Sequence, residues 1–366
     1  MDNDSSFRGC LEARAKLNLS LRVLGRRTDG MHELSTVMTT LSLADKLSIE
    51  LCKLPMSDDA SHFVGQKSDR PPWRIDADVQ SIPSGEANIC FRAAEMFFEH
   101  IGIDPFSISI TIFIEKRIPD AAGLGGGSAD AAAVLRFLFQ NRERLCRWFD
   151  LDATSLSFSE LEQIALHCGA DVPFCLYGGV RFCEGVGEVM TSLPSLFPTP
   201  VLLATPAQFV KTKTAFEMLD RFRETDGGAE SVQVETRSQE GAPSGPSDAR
   251  AGSPCRESVT VWKEAIDRQS LRALDPLIHN DFVPVIAGAL EQVEELLDVL
   301  RSTHASVISM SGSGPTCFAL FSDHDACEIA FTTMVSYFPD VRFIKTTIDS
   351  TSELFRETIT YCQYRE

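Results

Sequence analysis

Apolar and polar positions alternate without a break along RAKLNLSLRVLG, residues 14–25. Leu17, Leu19, Leu21 and Val23 fall on one side, and Lys16, Asn18, Ser20 and Arg22 on the other. A period of two predicts a β-strand with one buried and one solvated face. The period returns in FSISITIFIEKRI, residues 106–118, where Ile108, Ile110, Ile112 and Ile114 share a side. Helical spacing marks ANICFRAAEMFFEHIG before this strand and ADAAAVLRFLFQ after it. It also marks SELEQIALHCG, which opens on a capping box of Ser159 and Glu162 and closes on Gly169. Helical patterns resume over 259–302, and the end of the chain reads as strand, Gly/Ser turn, strand, helix, strand. Strands and helices in this mixed order predict an α+β, sandwich-like architecture. At 366 residues the chain is long enough for two domains.

Two stretches break the pattern. Leu51 to Pro72 has no period and ends in paired prolines, which predicts a loop between strands. Glu224 to Ser258 is rich in Gly, Pro, Ser and charge, which predicts a disordered surface insertion.

Composition narrows the function classes. A formal net charge of -18 opposes binding of nucleic acid or an anionic membrane through the whole surface, so an anionic substrate would need a local basic cluster. The eleven cysteines are odd in number and never form a CxxC pair, which predicts reduced thiols. The seven histidines show no HxH or HxxxH grouping that would suggest a transition-metal site. No apolar run reaches the ~18 residues of a membrane span. With the polar, acidic start MDNDSSFRGC, this predicts a cytoplasmic protein with no membrane or nucleic-acid partner.

The chemistry concentrates at PDAAGLGGGSADAAAVL, residues 119–135, which packs four glycines into five positions between a strand and a helix. Glycines there can turn backbone N–H groups toward an anion, and the following helix adds the positive end of its dipole. A tight turn or hinge is the alternative. Spacing excludes better-known loops: a Walker A loop needs Lys where Gly127 stands, and a dinucleotide fingerprint needs glycine where Ser128 stands.

With this loop, RAKLNLSLRVLGRRTDGMHEL and SMSGSGPTCFALF, the chain resembles the GHMP kinases in three ordered motifs. The marks KRIPDAAGLGGGSADAA, GADVPFCLYGG and EGVGE bring it nearest the branch that serves the non-mevalonate isoprenoid pathway. The resemblance implies a two-domain GHMP kinase fold, with a ribosomal-protein-S5-like N-terminal lobe over 1–185 and a ferredoxin-like C-terminal lobe over 186–366. It implies ATP- and Mg2+-dependent phosphorylation of the 2-hydroxyl of 4-diphosphocytidyl-2-C-methyl-D-erythritol, with a small-molecule partner only and a monomer or weak homodimer. The rivals are another GHMP kinase, acting on homoserine or mevalonate, and a non-catalytic nucleotide-binding protein on the same fold.

The resemblance also assigns residues. Asp171 matches the catalytic aspartate that accepts the substrate proton, although an aspartate in a loop is more commonly a turn former. Lys16 matches the lysine beside it, and Asn18, two residues on, a substrate contact. Pro119, Gly123, Leu124, Gly125, Gly126, Gly127, Ser128 and Ala129 match the triphosphate cradle. Ser128 is expected to cap the helix and to offer its hydroxyl to Mg2+ or phosphate. His32 matches a contact to the cytidine base, with Met31 where the branch usually has an aromatic residue. Phe216 is a second stacking wall or a core residue, and Lys116 matches a lysine at the substrate and ATP phosphates. Lys211 and Lys213 add local positive charge. Gly312, Ser313 and Gly314 support substrate or shape a turn.

Overall fold

The computed structural model describes residues 5–55, 70–151, 156–225, 258–349 and 360–361. Residues 226–257 of the insertion expected over 224–258, and most of the loop expected over 51–72, lie outside these residues. The chain divides into two compact units: 1–17, 39–179 and 346–366 form the first, and 18–38 and 180–345 the second. The boundary expected after residue 185 thus corresponds to a division at 179/180, and two further segments cross over. Residues 18–38 cross because β1 (Ser6–Arg26) and β2 (His32–Lys53) are 21 and 22 residues long, and each contributes to both units.

The first unit holds β3 (Trp73–Ala77), α1 (Ile89–Ile101), β4 (Ile108–Glu115), α2 (Gly126–Gln140), α3 (Arg142–Trp148), α4 (Phe158–Cys168) and α5 (Val172–Tyr177). β4 forms because its four isoleucines all point inward at 1% exposure or less, each stabilising burial by roughly 1.5–3 kcal/mol. It runs antiparallel to β2 and parallel to β3, and α2 packs on α1 and α5. α2 is buried nearly all round from Ala129 to Phe139, so its small alanines permit close helix packing. The capping box of α4 belongs to Ser157 and Glu160 rather than Ser159 and Glu162, because the helix begins two residues earlier than its apolar period suggests. Glu162 instead accepts a bond from the Tyr177 hydroxyl.

The second unit begins with β5 (Val180–Gly185), β6 (Val189–Ser192), β7 (Pro200–Thr205), α6 (Thr212–Thr225), α7 (Val259–Asp267) and α8 (Leu271–Leu274). It continues through α9 (Val283–Ala289), α10 (Glu291–Arg301), β8 (Val307–Met310), β9 (Cys317–Leu320), α11 (His324–Tyr337) and β10 (Arg342–Thr347). Its four-stranded sheet has the order β10-β7-β9-β8, the split βαβ order of a ferredoxin-like unit. Leu202, Ala204, Phe282, Leu296, Met310 and Phe321 form its core. A short β11 (Thr360–Tyr361) pairs with β1 in the first unit.

The polar side of β1 is not solvated as alternation predicts: Lys16, Asn18 and Ser20 are all buried. In the first unit the Lys16 N–H donates to the Leu124 carbonyl at 3.0 Å, which lays the glycine loop over the strand. In the second, the Asn18 N–H donates to Ser311 Oγ at 3.2 Å and its side-chain amide to Thr36 Oγ1 at 2.9 Å.

Candidate active site

In the first unit β1 delivers Lys16 and the turn into α5 delivers Asp171. Lys16 Nζ lies 3.5 Å from Asp171 Oδ2, with the lysine side chain 5% exposed and the aspartate side chain 39%. Asp171 stands at the N-cap position of α5, yet its side chain caps no backbone group, so its carboxylate stays turned to the lysine and to solvent. The turn-former alternative for Asp171 therefore fails locally. An ammonium at this place can offset anionic charge that develops beside it.

The glycine loop is built against this lysine. Gly123 and Gly125 take positive φ values of 75° and 69°, and Ala121 joins them at 49°. A Cβ on Gly125 would sit 2.8 Å from Lys16 Cγ, so backbone conformation and side-chain clearance both require glycine there. Gly125 is the N-cap of α2, and the first helical bond runs from the Ala129 N–H to the Gly125 carbonyl at 2.8 Å. The N–H groups of Gly126, Gly127 and Ser128 thus open the helix without intrahelical partners. Ser128 is not the cap expected from the sequence. The helix starts at Gly126, which makes Ser128 its third residue with its hydroxyl partly exposed. Pro119, Leu124 and Ala129 are buried supports of the loop, whereas Gly127 is exposed.

Lys116, expected at the substrate and ATP phosphates, is buried between two carboxylates. Its side chain is 4% exposed, and its Nζ binds Asp45 Oδ2 at 2.5 Å and Asp130 Oδ2 at 2.9 Å. Burial pushes the Asp130 carboxyl up to about 7, with the Asp45 charge adding to the rise and Lys116 opposing it. Burial pulls Lys116 down, but the charges of Asp130 and Asp45 outweigh this and leave it above its ordinary value. A carboxyl raised in the folded state holds its proton there while the unfolded chain has lost it, so Asp130 subtracts stability as pH rises from about 4 to 7. Lys116 stays protonated across that window. Thermal melts of Asp130→Asn and wild type at pH 5 and pH 8 are therefore expected to differ by a few degrees more in favour of the variant at pH 8.

In the second unit His32 and Phe216 stack, with ring centroids 4.5 Å apart and planes at 25°. Phe216 also meets Phe282 in a T-shaped contact, with ring centroids 4.9 Å apart, and packs against the core. Asp220 Oδ1 lies 3.0 Å from His32 Nε2, which places the proton on Nε2 and leaves Nδ1 an acceptor. The neighbouring Met31 is 51% exposed. Lys211 and Lys213 are exposed where α6 begins. Gly312 and Gly314 take positive φ values of 60° and 81°, and Ser313 Oγ donates to Thr212 Oγ1 at 3.3 Å. The Asn280 amide donates to the Met310 and Gly312 carbonyls at 2.6 and 2.9 Å and so holds this turn.

Asp45, Asp130, Asp220 and Asn280 escape the reading of motifs. The one local signal is in ADAAAVLRFLF, where Asp130 and Arg136 interrupt a helix that is otherwise apolar on every side and is therefore buried. Seven of the nine described cysteines are buried, and burial raises the thiols of Cys168 and Cys327 to about 11 and Cys317 to about 12. Among the described residues no helix is long and apolar enough to cross a membrane.

A strand, a glycine loop opening a helix, a lysine–aspartate pair beside them and a ferredoxin-like second unit define the small-molecule kinases of the GHMP class. The chain belongs to this family: residues 88–179 match the GHMP kinases N terminal domain and residues 262–340 the GHMP kinases C terminal domain. Within it, a relative from Caldicellulosiruptor saccharolyticus named 4-diphosphocytidyl-2-C-methyl-D-erythritol kinase is 32% identical over 87% of this chain and 91% of its own. One of the same name from Synechococcus sp. is 34% identical over 87% and 90%. The crystal structure of a 4-(cytidine 5'-diphospho)-2C-methyl-D-erythritol kinase is 26% identical, with a TM-score of 0.63 over 92% of this chain and 98% of its own. The L. major mevalonate kinase, solved with R-mevalonate, shares the fold with a TM-score of 0.62 over 96% of this chain and 99% of its own, at 14% identity.

Proposed function

We propose that this kinase transfers the γ-phosphoryl group of ATP to the 2-hydroxyl of 4-diphosphocytidyl-2-C-methyl-D-erythritol. The observation that carries the mechanism is the Lys16–Asp171 pair at 3.5 Å, in the same unit as a helix-opening glycine loop. Phosphoryl transfer asks mainly for positioning and charge neutralisation. The N–H groups of Gly126, Gly127 and Ser128 hold the phosphates at the positive end of α2. Asp171 accepts the hydroxyl proton, and Lys16 stabilises the charge that develops on the attacking oxygen and the transferred group.

Among the described residues no group of three His, Cys, Asp or Glu side chains is placed to hold a metal. A Mg2+ ion would arrive on the nucleotide, where the Ser128 hydroxyl would be its ligand from this chain, and it would neutralise phosphate charge. In the second unit His32, with Nε2 held by Asp220, offers Nδ1 to the amino group of cytosine. The base lies against the His32–Phe216 stack rather than between the two rings, and Asn18 is a further contact to the substrate. The buried thiols suit a reducing, cytoplasmic setting.

The substrate is tested by measuring ADP formation from ATP and Mg2+ with the cytidyl alcohol, homoserine and mevalonate in parallel. Turnover only with the cytidyl alcohol is expected. Comparable turnover with either smaller alcohol would replace the proposed substrate. No turnover with any of the three would favour a non-catalytic nucleotide-binding role.

A further inference from the structure

We propose that Asp45, Lys116 and Asp130 form a positioning network that holds the glycine loop in its ATP-receiving shape, and that Lys116 itself is no phosphate ligand. This rests on the reading of the loop as the ATP site. The network brackets the loop. β4 ends at Glu115 and α2 begins at Gly126, so residues 116–125 connect them. At the near end, Asp45 Oδ1 accepts the N–H groups of Arg117 and Ile118 at 2.6 and 2.9 Å, while its Oδ2 binds Lys116 Nζ. At the far end the same ammonium binds Asp130 in α2 and packs under Gly126, 3.3 Å from where a Cβ would stand. One ammonium therefore ties the two ends of the loop together, and a buried carboxylate from β2 anchors it.

The three side chains are 0 to 4% exposed. For Lys116 to reach a triphosphate it would have to abandon two buried carboxylates and leave both unpaired, which burial strongly disfavours. Fixing the loop before the nucleotide arrives instead lowers the ordering cost of binding.

The test is calorimetric binding of ATP to the full chain, with kcat and KM measured alongside. Asp45→Asn is expected to weaken ATP binding about tenfold, equivalent to about 1.4 kcal/mol, while kcat changes less than about threefold. If Lys116 contacts phosphate, the same variant releases its ammonium and tightens binding, so unchanged or tighter binding overturns the proposal. Should Asp45→Asn fail to fold, Asp130→Asn decides the question by the same measure: weaker binding of ATP with kcat little changed is expected, and unchanged or tighter binding overturns the proposal. A variant that melts earlier yet keeps the wild-type affinity overturns the proposal too. Because ATP binding is read without any alcohol, a wrong alcohol substrate leaves this test intact.

Discussion

Asp171→Asn is expected to lower kcat by about 10³-fold, within the range a positioned base contributes, with ATP affinity near the wild-type value. Asparagine keeps the shape of the side chain but offers no carboxylate to take the proton. The substitution does not undermine α5 through a lost cap, because Asp171 caps no backbone group. Its structural consequence falls on Lys16, whose ammonium is almost wholly buried and loses its 3.5 Å counter-charge. A drop in melting temperature would accompany the kinetic loss without explaining it. Single-turnover measurements on nucleotide-saturated enzyme separate the two effects, and near-normal turnover would remove Asp171 from the role of base.

Gly125→Ala is expected to act almost as strongly and in a different kinetic parameter. An L-residue in the left-handed region costs roughly 1–2 kcal/mol. The new methyl must in addition displace Lys16 Cγ from 2.8 Å. Lys16 runs along a buried strand and is held at its own N–H by Leu124, so it cannot step aside without moving the loop. The combined cost corresponds to about a 10²-fold loss in kcat/KM for ATP. Gly127→Ala is the matched control: its Cβ meets only Ile89 at an ordinary 3.7 Å, and it should retain most activity. Equal losses in the two variants would mean that crowding of Lys16 is not the cause.

Both residues were legible in the amino-acid sequence for a common reason. Lys16, Asp171 and the glycines lie in short stretches whose local pattern is unusual: polar positions in a strict strand, an aspartate just past a helix, and glycines where a helix starts. The side chains that support them were not legible, because their meaning depends on distant partners. Asp45 reads as one more polar position in LADKLSIE, and only folding brings it to Lys116, 71 residues away. Asp220 lies 188 residues from His32, on α6. The period of two in β1 gave the strand correctly but misplaced the solvent. Alternation reports which residues share a side, and it carries no information about what later covers that side. The same limit applies to Lys116: the resemblance assigned it a phosphate contact, and its pairing with two buried carboxylates was not readable from the sequence.

The most direct measurement is ³¹P and ¹³C NMR of the product formed by the purified chain from ATP, Mg2+ and 4-diphosphocytidyl-2-C-methyl-D-erythritol. One new phosphomonoester on carbon 2, formed in equal amount with ADP, is the predicted result. A phosphate at another carbon, or no phosphomonoester while ATP is bound, would contradict it.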